Sequence, residues 1–316
     1  MQTTRSGLKI FSLFVLLAGH THAALAAEDV PKPTGSPRAE IYDKTADGEK
    51  QIANALAKAR RNHQRVLLQF GANWCGWCHK LHDLCKSDKE IARELRDEFL
   101  VVLIDVDKVD GKPHNAAVVE KYGNPTKHGL PVMVVLDADG KQLTTQETGS
   151  LEEGDHHDPA KVLAFLKKWR APAPSADDLL KSALARAEKE KKAVFVQFSA
   201  PWCVWCHRLD DYLLRPEIAE VFDRAFVTVK VDVDRFRGGK EFNAKHGGEN
   251  QGLPYFVILD SEGKKIGDSV AAPESNIGFP ASPSEIAHFV KVVRKTAPGL
   301  SEKDLSVLEA GLSKKP

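Results

Sequence analysis

The chain has 316 residues, with 45 Lys and Arg against 44 Asp and Glu and a formal net charge of +1. Such a balance supplies no basic field for nucleic acid or anionic lipid. A chain with 42% hydrophobic and 28% charged residues is composed like a folded globular protein, long enough for two domains of roughly 100–150 residues. Its five cysteines are too few for a disulfide scaffold.

Arg5 and Lys9 precede an apolar run, Ile10 to Ala18, followed by Ala24-Leu25-Ala26. Basic start, short apolar centre and small-x-small exit predict an export signal over 1–26. The run is short of the ~20 residues that span a bilayer, although an uncleaved anchor is the competing reading. No Cys follows the run to carry a lipid. Export would place the chain in a disulfide-permissive compartment, periplasmic or secreted.

Next come a helix from Asp47 to Arg61, with Ile52 and Leu56 on one face, and a short apolar strand from Arg65 to Phe70. Trp74-Cys75-Gly76-Trp77-Cys78-His79 follows directly. Helix is expected over Trp77 to Leu84 and Glu90 to Phe99, then strands over Leu100 to Val106 and Val132 to Leu136. The turn Asp137-Ala138-Asp139-Gly140 leads into another strand, and a final helix starts at Asp158 or Pro159. Strand–helix–strand, then a hairpin and a covering helix, predicts an α/β domain: a central mixed sheet with helices on both faces.

The second half repeats the first. Trp202-Cys203-Val204-Trp205-Cys206-His207 lies 128 residues after its counterpart, and Val194 to Phe198 matches Val66 to Phe70. Gly129-Leu130-Pro131 recurs as Gly252-Leu253-Pro254. The second half ends with a helix from Ser284 to Lys295. The expected layout is domain 1 over 38–170, an Ala/Pro linker over 171–175, domain 2 over 176–296 and a tail over 297–316. Alternating Ala-Pro is extended and semi-rigid, so the linker is expected to hold the domains apart. In the tail, Ser301 is placed to cap a helix carrying Leu305, Leu308 and Leu312, a stripe expected to dock on its own domain.

Each dithiol sits where a strand enters a helix. Free N–H groups and the helix dipole there favour a thiolate, the nucleophile of disulfide exchange, at Cys75 and Cys203. Cys78 and Cys206, one turn on, face them and can close the disulfides Cys75–Cys78 and Cys203–Cys206, expelling product. These four are the candidate catalytic residues. Trp74 and Trp202 are candidate apolar platforms for peptide or unfolded substrates, with a core role as the plain alternative. Trp77, His79, Trp205 and His207 are candidate modulators. The two histidines offer a weak positive charge or a proton relay, against the plainer expectation of exposed helix residues. Cys85 has Leu213 as its counterpart and is expected in the core.

Dithiol, Asp-bearing strand, Gly-Leu-Pro and Asp-x-x-Gly hairpin together resemble the thioredoxin superfamily, in both halves. The closest likeness is to exported Trp-Cys-x-x-Cys-His/Lys proteins such as the terminal domain of periplasmic disulfide-interchange reductases. The resemblance implies that Pro131 and Pro254 lie in cis-proline loops against the cysteines and orient substrate backbone. It implies protein-disulfide reduction or isomerisation without cofactor or metal. Partners would be disulfide-containing or unfolded proteins, plus a separate redox protein, soluble or membrane-bound. The chain departs from thioredoxin itself by having Gly76-Trp77 and Val204-Trp205 between the cysteines. It also has Gln69 and Gln197 where thioredoxin buries an Asp, and Gln accepts no proton. Three other readings compete: c-type haem attachment through Cys-x-x-Cys-His, structural zinc, and a redox-silent binding module.

Overall fold

Alternation along two short apolar runs sets the architecture of each half. In β1 (Arg65–Gly71), Val66, Leu68 and Phe70 face one way and Leu67 and Gln69 the other, and all are buried. β1 pairs in parallel with β2 (Phe99–Asp105) and antiparallel with β3 (Val132–Leu136), which turns back into β4 (Gln142–Glu147). The sheet order is β2-β1-β3-β4. The even face packs Ile52, Ala55 and Ala59 of α1 (Gly48–Asn62) and Val118 of α4 (Ala116–Lys121). The odd face packs Leu81 of α2 (Gly76–Ser87), Ile91 of α3 (Lys89–Glu98), and Val162, Phe165 and Leu166 of α5 (Pro159–Trp169). This is the expected mixed sheet between helices.

The second half repeats the plan with α6 (Ala176–Glu190), β5 (Ala193–Ser199), α7 (Val204–Leu213), α8 (Pro216–Ala225), β6 (Phe226–Asp232), α9 (Gly239–Lys245), β7 (Tyr255–Leu259), β8 (Lys265–Asp268) and α10 (Pro283–Thr296). Its sheet order is β6-β5-β7-β8. Phe195, Phe222, Phe226, Phe256 and Phe289 fill the face covered by α7, α8 and α10. The tail forms α11 (Glu302–Ser313), which docks on this face through buried Leu305, Leu308 and Leu312. Tyr212 donates its hydroxyl to Leu308 O at 3.0 Å beneath it.

The structure describes residues 39–109, 111–271 and 275–313. The expected export signal over 1–26 lies outside the described residues. Among the described residues no helix is long and apolar enough to cross a membrane.

Three expectations need correction. Helices α4 and α9 were not anticipated: the sequence order ran from the second strand straight to the Pro-led strand. Each is only six or seven residues long and starts after a left-handed residue, Asn115 or Gly238, with no side-chain cap bond. One buried large side chain apiece, Val118 and Phe242, is too little to make a period. Phe99, expected to end a helix, instead opens β2.

The third correction concerns the linker. Both halves lie within one unit, Glu40–Pro316, and they touch. Arg235, in the loop after β6, donates to Asn62 O at 3.1 Å and His63 O at 3.2 Å, the open carbonyl end of α1. Its guanidinium also meets Glu98 Oε2 at 2.9 Å, and His63 packs edge-on against Phe236 at 5.3 Å. The linker is pinned at its far end by Arg237 N–H donating to Pro174 O at 3.0 Å. An extended Ala-Pro run fixes the spacing of its own ends, but it does not stop polar surfaces beside it from meeting.

Candidate active site

Cys75 is the N-cap of α2 and Cys203 the N-cap of α7. Each sulfur accepts a hydrogen bond at 3.1 Å from the backbone N–H three residues on, at Cys78 and Cys206. A sulfur in this position satisfies one of the donors a helix start leaves open. When reduced, it sits at the positive end of the helix dipole, where negative charge is stabilised. Cys75 is bonded to Cys78 and Cys203 to Cys206, with Cα–Cα separations of 5.2 Å in both. The first cysteine of each pair is slightly exposed, 5% and 4%; the second is fully buried. The first is therefore the one a large substrate can reach.

Trp74 and Trp202 are exposed, 68% and 58%, and do not belong to the core. Each indole N–H is tethered to an aspartate after the neighbouring strand, Asp107 at 3.0 Å and Asp234 at 2.8 Å. The two rings thus form fixed apolar plates beside the dithiols. Trp205 is exposed and stacks on Phe279, while Trp77 is half-buried against His157. Leu130–Pro131 and Leu253–Pro254 are both cis. Leu130 packs with Cys75 and Cys78, and Leu253 with Cys203 and Cys206. Thr148 donates its hydroxyl to Pro131 O at 2.6 Å, and Asn276 its amide to Pro254 O at 3.0 Å, bracing each loop. Beside the second site an open groove of about 460 Å³ runs between Trp205, Pro254, Asn276 and Phe279.

The histidines correct the sequence expectation in part. His207 is exposed, but His79 is buried at 6%. In both, Nε2 meets a backbone oxygen at 2.8 Å, Asn73 O and Pro201 O, in the turn that carries the dithiol. They brace that turn. Cys85 is half-buried rather than fully buried. It lines an apolar cavity of about 210 Å³ with Leu67, Leu103, Met133 and Val162, and burial pushes its thiol up to about 12.

The space behind each dithiol is filled differently, by residues the sequence reading passed over. In the first half, buried Tyr42 packs on Cys75 and Cys78 and accepts a hydrogen bond from Gln69 Nε2 at 3.0 Å. Burial raises that phenol well above its usual range, with the Gln69 bond opposing, so it stays neutral. In the second half, Gln197 donates to Asp210 Oδ1 at 3.2 Å, and Lys230 pairs with the other carboxylate oxygen. Arg61, from the last turn of α1 in the first half, binds Asp210 Oδ1 at 2.9 Å and Gln197 Oε1 at 2.6 Å. Burial works against charge on Asp210, but Lys230 and Arg61 outweigh it and hold the carboxyl below its usual range. The counterparts of Asp210 and Lys230 in the first half are His82 and Leu103. Nothing in the sequence marks Arg61, an ordinary basic residue at a helix end, as reaching the other half.

Comparison with known proteins follows the same division. Residues 52–156 match the thioredoxin-like domain family and residues 176–261 a second thioredoxin-like family. Thioredoxin from Mycolicibacterium smegmatis is 37% identical over 86 residues, which is 73% of its length and 26% of this chain. The chain belongs to the thioredoxin superfamily. Both halves are thioredoxin-like domains, arranged in tandem. Protein disulfide-isomerase 1 of Dictyostelium discoideum is 27% identical over 231 residues, 70% of this chain and 55% of that protein. Protein disulfide-isomerase erp38 of Neurospora crassa is 24% identical over 176 residues, 55% of this chain and 45% of that one. The chain thus spans about half the length of these two isomerases. Among solved structures, a disulphide isomerase from Xylella fastidiosa Temecula1 shares 33% identity, covering 42% of this chain and 97% of that one with a TM-score of 0.37.

Proposed function

We propose that the protein is an exported thiol–disulfide oxidoreductase that reduces or isomerises disulfides in other proteins. The observation that carries this reading is the placement of Cys75 and Cys203 at helix N-caps, each sulfur taking a backbone N–H and each beside an exposed tryptophan. In the reduced form, the Cys75 thiolate attacks a substrate disulfide. A bond to one substrate sulfur forms, the substrate S–S bond breaks, and the other sulfur leaves as thiolate. Cys78 then loses its proton and attacks Cys75; the Cys75–Cys78 disulfide forms and the second substrate thiol departs. The substrate gains two electrons and the dithiol loses two. Isomerisation follows when the freed substrate thiol attacks elsewhere before Cys78 does. Cys203 and Cys206 act alike.

Trp74 and Trp202 would hold apolar substrate segments, with Pro131 and Pro254 orienting the backbone. Reducing turnover requires a second, donor dithiol protein to restore the thiols. The signal-like segment over 1–26 supports an oxidising compartment outside the cytoplasm, periplasmic or secreted. The test is insulin-disulfide reduction and refolding of a scrambled disulfide protein by the full chain, by Cys75→Ser, by Cys203→Ser and by the double variant. Loss of both activities in the double variant is the expected result. Retention there would overturn the assignment to these cysteines, and a parent chain without either activity would favour a redox-silent binding module.

A further inference from the structure

The second dithiol rests on a charge cluster that its own domain does not complete. Asp210 lies one turn after Cys206 on α7, about 6 Å along the axis and on the same helix face. Its side chain is 6% exposed and that of Lys230 7%. Two cations, Lys230 and Arg61, meet this one carboxylate, and Arg61 comes from the first domain. Asn62 of the same helix end accepts from Lys230 at 2.7 Å. Close by, the Ser199 Oγ has no hydrogen-bond partner among the described residues. Ser199 lines a small cavity of about 20 Å³ shared with Asn62, His207 and Lys230. Ser199 stands where the first domain has Gly71, and a Cβ on Gly71 would lie 2.8 Å from Cys78 Sγ. By the repeat, Ser199 takes the position that in the first domain lies against the buried sulfur.

Resting on the dithiol reading above, we propose that Arg61 is a positioning residue for the second dithiol. Its charge, delivered across the domain contact, offsets Asp210 behind Cys206 and favours the Cys206 thiolate. The first dithiol, backed by neutral Tyr42, has no such dependence. The charged and titratable groups packed around Cys206 are His207 and Asp210 on α7, Lys230 and Asp232 on β6, Arg235 in the loop after it, and Arg61 on α1. β5 contributes Gln197 and Ser199, and the loop that carries Leu253–Pro254 contributes His246 and the exposed Glu249. Removing Arg61 removes one positive charge from this set, so the Cys206 thiol should hold its proton to higher pH.

The experiment uses the full chain with Cys75→Ser and Cys78→Ser, reduced and then mixed with Ellman's reagent in a stopped-flow instrument across pH 5–9. The Cys203 thiolate attacks the reagent's disulfide; that S–S bond breaks, one thionitrobenzoate leaves as thiolate and the other stays bonded to Cys203. Cys206 then loses its proton and attacks Cys203, the Cys203–Cys206 bond forms, and the adduct leaves as thiolate with the electron pair. The rate of that second release against pH reports the Cys206 thiolate. Arg61→Met is expected to move the profile up by about one pH unit, about tenfold slower near neutrality. Arg61→Lys should recover most of the rate. Arg60→Met, which removes a charge from the same helix end but one that bonds Ala138 O within its own domain, should follow the parent. An unmoved profile in Arg61→Met overturns the inference, as does an equal shift in Arg61→Lys or in Arg60→Met. A parent that releases no second equivalent overturns the dithiol reading itself, a distinct result.

Discussion

On α2, His79 braces the turn that presents the first dithiol, while Cys85 is a thiol that burial keeps silent. The His79 residue is buried and its counterpart His207 exposed, although both backbone bonds are partly buried. His79→Ala should therefore cost about 1 kcal/mol and lower the melting temperature of the oxidised protein by about 2–4 °C. His207→Ala should cost less, and thermal unfolding of the two variants side by side would check the order. For Cys85, burial raises the thiol from 9.0 to about 12. The folded chain then keeps a proton that the unfolded chain releases. Stability from this group is complete below about pH 9 and is lost as pH rises toward 12. In the oxidised native protein, iodoacetamide at pH 8 should leave Cys85 unlabelled, and denaturation should expose one thiol per chain by mass spectrometry. Rapid native labelling would contradict that burial.

At the level of elements, α11 is a structural part of the second domain. Leu308 is fully buried in the Phe-rich cluster, and its carbonyl receives the Tyr212 hydroxyl. Leu308→Ala should cost about 2–5 kcal/mol, read as a lower urea midpoint for the second domain with the first unchanged. Equal effects on both domains would argue against this docking. The stripe Leu305, Leu308, Leu312 was legible in the sequence because its spacing is helical and its cap, Ser301, precedes it. The strands Val66 to Phe70 and Val132 to Leu136 were legible because they are continuous apolar runs between turn residues. Cys75 and Cys203 were legible as helix-start sulfurs because strand and helix patterns meet there. α4 and α9 were not, because two turns of helix with one large buried residue carry no period.

At the scale of the whole chain, the domain contact is built from buried polar groups whose partners lie far apart in sequence. Arg61 and Asp210 are 149 residues apart, and Arg235 and Glu98 are 137 apart. No local pattern announces such pairs, and so Asp210 and Lys230 read only as isolated polar residues. Arg235 is 9% exposed and holds Glu98, Asp232 and the end of α1 together. Arg235→Ala should weaken the contact by about 3 kcal/mol, because it leaves buried carboxylates without their cation. Small-angle scattering should then show a larger radius, and calorimetry two separate transitions; an unchanged radius would count against this role. The pinned segment Pro174–Ser175 has a further consequence. Residues 171–173 act as a tether that turns a polar contact into an intramolecular one, at an effective concentration on the order of millimolar. A single proteolytic cut just before Pro172 would leave both domains folded and both disulfides in place, yet let Arg61 diffuse away from Asp210. Backbone cleavage at one peptide bond would thus act as a remote control on a sulfur it never touches.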